Sequence, residues 1–155
     1  REPAGLKVGL AWAGRSTHKN DHNRSLPLSL LAPLAAVPGI HFYSLQKGGP
    51  SSQAQNPPAG MRLTDWTDEL ADFADTAALV TNLDLVISVD TAVAHLTGAL
   101  GKPVWLLAPH VSDWRWPPGR DDSGWYPTMR VFRQPRAGRW SKVIERAARE
   151  LSALF

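Results

Sequence analysis

The segment Leu83–Leu107, LDLVISVDTAVAHLTGALGKPVWLL, constrains the fold more than any other part of the chain. Leu85 to Val89 is a short β-branched and apolar run suited to a buried strand. It stops at Asp90-Thr91, where Val93, Leu96 and Leu100 take over with the spacing i, i+3, i+7 of a helix face. Gly101-Lys102-Pro103 ends that helix, since Gly suits the position after a helix and Pro cannot continue it. Val104 to Leu107 is a second apolar run. The unit is strand, helix, strand with a polar corner, and in parallel α/β sheets ligands bind at that corner.

The flanking sequence repeats the alternation. Arg1 to Gly5 reads as a linker, and residues 6–155 as one domain. Lys7 to Trp12 is expected to be a buried strand, followed by an entirely polar loop from Arg15 to Arg24. Leu30 to Val37 reads as a short helix with Ser29 as a possible cap and Pro33 near its first turn, and Ile40 to Leu45 as the next strand. Ser51 to Gly60 is rich in Pro, Gly, Ser, Gln and Asn and is the best candidate for a mobile loop. Met61 to Thr64 fits a short edge strand. Asp72 fits an N-cap, with Phe73, Leu79, Val80 and Leu83 expected to face inward. After an aromatic loop, Ala108 to Thr128, come a strand at Met129 to Phe132 and a closing amphipathic helix from Trp140 to Leu154. The resulting fold class is α/β: a Rossmann-like three-layer sandwich with a mostly parallel sheet.

Composition narrows the chemistry. With 155 residues, 43% of them hydrophobic, the chain can bury one core of ordinary size. It has no cysteine, which excludes disulfides, thiolate catalysis and cysteine-bound zinc, and fits a cytoplasmic or otherwise disulfide-free setting. No apolar run approaches the roughly eighteen residues of a membrane span. The first residue is Arg, as expected of an excerpt or a processed product. Asp65, Asp68, Glu69, Asp72 and Asp75 form an acidic cluster, while Arg130, Arg133, Arg136, Arg139, Lys142, Arg146 and Arg149 make the end of the chain basic. Those basic residues are spread around a helix with acidic neighbours, so nucleic acid ranks last as a partner.

Two loops carry the candidate site. At the corner, the free N–H groups of Thr91, Ala92 and Val93 would favour an anion, typically phosphate, with the Thr91 hydroxyl as a further donor. Thr91, His95 and Gly98 share one stripe of the helix, so His95 either bonds an oxyanion or holds the loop above it. The plainer alternative is that Asp90 caps the helix and His95 is a satisfied core histidine. The second loop holds Arg15, Ser16, Lys19 and Arg24, whose cations could neutralise a diphosphate leaving group, Lys19 foremost. Gln46 and Lys47 follow a strand and would reach the same edge, either to bond a base or phosphate or simply as turn residues. His18, Asp21 and His22 lack the helix that would fix a metal-binding spacing. Gly9 to Ser16 mimics a P-loop, but Leu10 to Ala13 reads as buried strand.

SVDTAVAHLTGALGKPVWLL resembles the nucleotide-sugar signature of heptosyltransferase-like glycosyltransferases, Asp-Thr-Gly-x-x-His-Leu-x-x-Ala-x-Gly-x-Pro, with Ala92 in place of the usual Gly. VGLAWAGRSTHKNDHNRSLPL, FYSLQKG, DFADTAALV and DWRW with DSGWYP are similar to the C-terminal domain of many bacterial tetratricopeptide-repeat proteins. The resemblance implies the C-terminal half of a GT-B fold that binds a nucleotide-diphosphate sugar as donor substrate, with no other cofactor and no metal. It implies inverting transfer completed by an absent N-terminal half, with repeats upstream. By position, Lys19 matches the family's loop lysine near the donor diphosphate, and Asp90, Thr91, Ala92 and His95 match its diphosphate site. Gln46 and Lys47 resemble, more loosely, the Gln and Lys of peptide O-GlcNAc transferases. Lys19 and His95 are the expected catalytic residues. The alternative is a degenerate nucleotide-binding or protein-interaction domain without turnover.

Overall fold

The computed structural model describes residues 5–14, 24–110 and 120–154. Six strands form one sheet in the order β3-β2-β1-β4-β5-β6: β1 Leu6–Ala11, β2 Ile40–Ser44, β3 Leu63–Asp65, β4 Leu85–Val89, β5 Val104–Ala108 and β6 Met129–Arg133. Every neighbouring pair is parallel, with Val8 opposite both Phe42 and Leu85. Four α-helices are described: α1 Ala32–Ala35, α2 Phe73–Thr81, α3 Ala92–Ala99 and α4 Trp140–Ser152. This is the Rossmann-like α/β sandwich that the alternating sequence pattern requires, and the strand order reverses between β1 and β4.

Because side chains alternate across each strand, the sheet feeds two cores. Val8, Leu10, Ile87, Val89, Leu107 and Phe132 pack with Leu34 of α1 and with Val143, Ile144, Ala147 and Leu151 of α4. Ala11, Tyr43, Leu45, Val86, Val104, Leu106 and Val131 pack on the other face with Val80 of α2 and Ala94 of α3. Central strands β4 and β5 are buried at every position, as continuous apolar runs in a parallel sheet must be.

Local chemistry sets the helix ends that face the site. Asp72 Oδ1 accepts from the Asp75 N–H at 3.0 Å, and Asp75 Oδ2 accepts in return from the Ala71 N–H at 2.9 Å. Asp72 thus satisfies a donor that α2 leaves open, and Asp75 fastens the residue just before the cap. At the far end of α3, Gly101 has φ 69°. Its N–H reaches the Gly98 carbonyl at 3.0 Å and the Lys102 N–H reaches the Thr97 carbonyl at 3.1 Å, a Schellman closure.

Four expectations change. Phe73 is 63% exposed and turns away from the core; at the first position of α2 it sits beyond the turn that Thr76 and Val80 bury. Leu83 is buried, but past the end of that helix. The first half of the Pro- and Ser-rich stretch is a 3₁₀ turn, Gly49–Gln55, which buries Ala54 and docks Gln53 Oε1 on the Leu28 N–H at 2.8 Å, while residues 56–60 remain irregular. Ser29 lies inside a 3₁₀ turn, Leu28–Leu31, and caps nothing. Among the described residues no helix is long and apolar enough to cross a membrane. Part of the basic end of the chain is paired within the fold, with Arg130 3.3 Å from Glu150 and Arg146 3.6 Å from Asp121.

Candidate functional site

A cleft of about 580 Å³ opens at the carboxyl ends of β1, β2 and β4. Among the described residues, Ala11, Ala13 and Gly14 form its floor at the end of β1, and Leu45 to Pro50 line the side beyond β2. Thr91, Ala92 and Val93 at the start of α3 form the opposite wall, Arg24 joins them, and Phe73 stands at the lip. The sheet reverses its strand order here, so two neighbouring crossovers leave in opposite directions and the space between them stays unfilled.

The α3 wall presents the start of a helix, and Thr91, Ala92 and Val93 bear no charged side chain. Thr91 occupies the N-cap in extended conformation, φ −141° and ψ 176°, and its side chain makes no cap hydrogen bond. The Ala94 and His95 N–H groups turn back to the Thr91 carbonyl at 3.1 and 3.4 Å. Ala92 and Val93, one turn too early for an intrahelical acceptor, present their N–H groups at the cleft. Such an end attracts an anion through those donors and the helix dipole. Thr91 Oγ1 lies 3.4 Å from Ser88 Oγ, which itself donates to the Val89 carbonyl at 2.7 Å.

The corner is clamped on two sides. Arg24 Nη1 donates to the Asp90 carbonyl at 2.8 Å, and the guanidinium lies so close over Gly14 that any Cβ there would overlap it. From the other side, His95 Nε2 is 3.4 Å from Asp90 Oδ1. Asp90 and His95 adjoin the cleft without lining it.

Gln46 and Lys47 reach this edge, and both are engaged there. Gln46, 4% exposed, accepts through Oε1 from the N–H groups of Trp12 and Ala13, each at 2.9 Å. Its Nε2 donates to the Ala13 carbonyl at 2.9 Å and to the Lys47 carbonyl at 3.1 Å. This one amide ties the end of β1 to the end of β2 where the ladder has run out. Lys47 Nζ donates to the carbonyls of Thr67 and Leu70, both at 2.7 Å, and so holds the β3–α2 connection against the cleft.

The structure therefore brings Arg24, Gln46, Lys47, Asp90, Thr91, Ala92, Val93 and His95 around one cleft. Arg15, Ser16 and Lys19, with His18, Asp21 and His22, lie outside the described residues. Among those described, no group of three or more His, Asp or Glu side chains converges as a metal cluster would. Gly9 to Ala11 belong to β1, so the P-loop likeness falls on strand. Sequence reasoning passed over Gly14 and Phe73. Gly14 could have been found, because a glycine immediately after a buried strand marks close backbone approach; nothing local to Phe73 signals that it faces the cleft.

The α2, β4, α3 and β5 elements that build the wall coincide with one comparison. Residues 70–122 match the family model of glycosyltransferase family 9 (heptosyltransferase). Protein FlbA of Caulobacter vibrioides is 31% identical over 151 residues, which is 95% of this chain and 25% of FlbA. The structure of E. coli heptosyltransferase WaaC with ADP superposes with a TM-score of 0.66 at 18% identity, covering 97% of this chain and 45% of WaaC. The chain thus shares the α/β fold of the matched part of WaaC, and it spans a quarter of FlbA and under half of WaaC.

Proposed function

We propose that this domain binds a nucleotide-diphosphate sugar in the cleft and serves as the donor half of a metal-independent, inverting glycosyltransferase. The observation that carries the reading is the open N-terminus of α3, where Ala92 and Val93 offer N–H groups at the strand-order switch, inside the segment that matches family 9. The ADP in the WaaC structure supports a nucleoside diphosphate as the ligand class. In inverting transfer an acceptor oxygen attacks the anomeric carbon while the diphosphate departs with the bonding electrons. Donors aimed at that growing charge lower the barrier. On this reading the N–H groups of Ala92 and Val93 and the Thr91 hydroxyl hold the diphosphate, and Lys19 and Arg15 on the polar loop add positive charge with Ser16 as a further donor. Arg24 secures the corner. The acceptor and its base belong to a second half, either an N-terminal glycosyltransferase half or preceding tetratricopeptide repeats, in a bacterial, cytoplasmic protein.

Titration calorimetry of the intact protein with ADP, UDP, GDP and their sugars tests this. Binding tighter than millimolar is expected, weakened about 3- to 10-fold by Thr91→Ala if its hydroxyl makes one hydrogen bond to phosphate. Absence of any binding, together with wild-type behaviour of Lys19→Ala, overturns it.

A second reading has its own observation: Gln46 and Lys47 are occupied with backbone groups, and Ala92 replaces the signature glycine. These suit a domain that has kept the fold and lost turnover. Sugar-dependent labelling of an acceptor by the intact protein would exclude that alternative.

A further inference from the structure

Tyr126 belongs to neither reading, yet it ends a continuous chain of contacts that starts at the anion-facing corner. His95 Nδ1 lies 3.0 Å from the Tyr126 hydroxyl, and His95 Nε2 lies 3.4 Å from Asp90 Oδ1. An ionised carboxylate only accepts, so the nitrogen facing Asp90 is the donor of that pair, and in the neutral ring Nδ1 then accepts from the phenol O–H. The ring is held edge-on to Tyr126, with centroids 5.7 Å apart and planes at 71°.

The phenol is itself held in place. A Cβ on Gly98 would stand 2.5 Å from Tyr126 Cγ and 2.9 Å from its Cβ, so only glycine lets the aromatic ring lie against α3. Ser123 Oγ accepts from the N–H groups of Trp125 and Tyr126 at 3.0 and 3.1 Å, and the Met129 N–H reaches the Tyr126 carbonyl at 3.1 Å, tying the turn to β6. Thirty-one positions separate Tyr126 from His95, so no sequence motif joins them.

We infer that Tyr126 is a positioning residue of the donor site: through His95 it fixes the Asp90 side chain, and with it the Thr91–Val93 turn whose N–H groups face the cleft. The inference rests on the proposed donor reading for its functional consequence, while the tautomer it predicts stands apart from any ligand. Arg24 holds the same corner by the Asp90 carbonyl, and Tyr126 acts on it from the side-chain end.

The test uses the protein labelled with ¹⁵N-histidine. In the wild type the His95 signals should be those of the tautomer protonated at Nε2. Tyr126→Phe keeps the ring and its packing, so the melting temperature should stay near wild type. The tautomer preference should fall, and affinity for ADP or UDP should drop about 3- to 10-fold, the span of one net hydrogen bond. Gly98→Ala, which displaces the ring instead of deleting its hydroxyl, should produce the same change in the His95 signals. Unchanged His95 signals in Tyr126→Phe overturn the inference, as does unchanged nucleotide affinity where the wild type binds. If the wild type binds no nucleotide, the donor reading fails, and the histidine signals alone decide whether Tyr126 sets the His95 tautomer.

Discussion

Replacing Gln46 with Leu removes the amide that joins β1 to β2 while nearly preserving volume. Four hydrogen bonds are lost: those from Trp12 N and Ala13 N, and those to the Ala13 and Lys47 carbonyls. Trp12 is fully buried and Ala13 8% exposed, so two N–H donors lose their partner out of reach of bulk water. A buried group left unsatisfied costs about 1–3 kcal/mol, and carbonyls, with two lone pairs, tolerate the loss better. Two orphaned donors therefore imply about 2–6 kcal/mol, with the low end reached if water enters from the cleft. For a chain of this size that corresponds to a fall of about 4–24 °C in melting temperature. Urea denaturation gives the free energy and a thermal melt the shift. Gln46→Glu serves as a control, because it keeps both acceptor bonds but turns an oxygen toward two carbonyl oxygens, and should also destabilise. A loss under about 1 kcal/mol for Gln46→Leu would refute the view that this amide closes the strand ends.

Gly14→Ala places a methyl group where the Arg24 guanidinium lies, so the arginine must swing off the Asp90 carbonyl. A hydrogen bond from a charged donor at a half-buried site is worth about 1–2 kcal/mol, and nucleotide affinity should fall with it; an unchanged melt and titration count against the clamp. Asp72→Ala removes the N-cap of α2 and should cost about 1 kcal/mol, or about 2–4 °C in a thermal melt. The Arg120 guanidinium, hydrogen-bonded to Asp122 and attracting it electrostatically, holds that carboxyl below its ordinary value. Its pairing is therefore present above the usual aspartate range and is lost as pH falls through the lowered value. Arg120→Gln should move the Asp122 carboxyl titration upward by NMR, and a carboxyl that stays put contradicts that pairing.

The elements were legible because their signals are local. The apolar run at Leu85–Val89, the helix beginning beside Thr91 and the glycine stop at Gly101 each depend on neighbours within a few residues, and each stands where the pattern put it. The open N–H groups at Ala92 and Val93 follow from any helix start after a strand, so the place of that helix end at the switch of strand order was also readable. Phe73 was misjudged for the same reason: its spacing fits an inward face, but a residue in the first turn can clear the core edge, and only packing decides which way it goes.

By itself, then, the sequence determined the alternation of strand and helix, the parallel sheet and the strand-to-helix corner at Asp90–Val93, since backbone propensity and periodicity act over short distances. The tertiary structure decided what the long-range groups do. It turned Gln46 into a stitch between strands and Lys47 into an anchor for the β3–α2 connection. It set Arg24 over Gly14 and carried Tyr126 across the fold to His95. Those roles arise from hydrogen bonds between residues far apart in the chain. A polar side chain spends its donors on whatever the fold brings near, and residue type does not specify that neighbour.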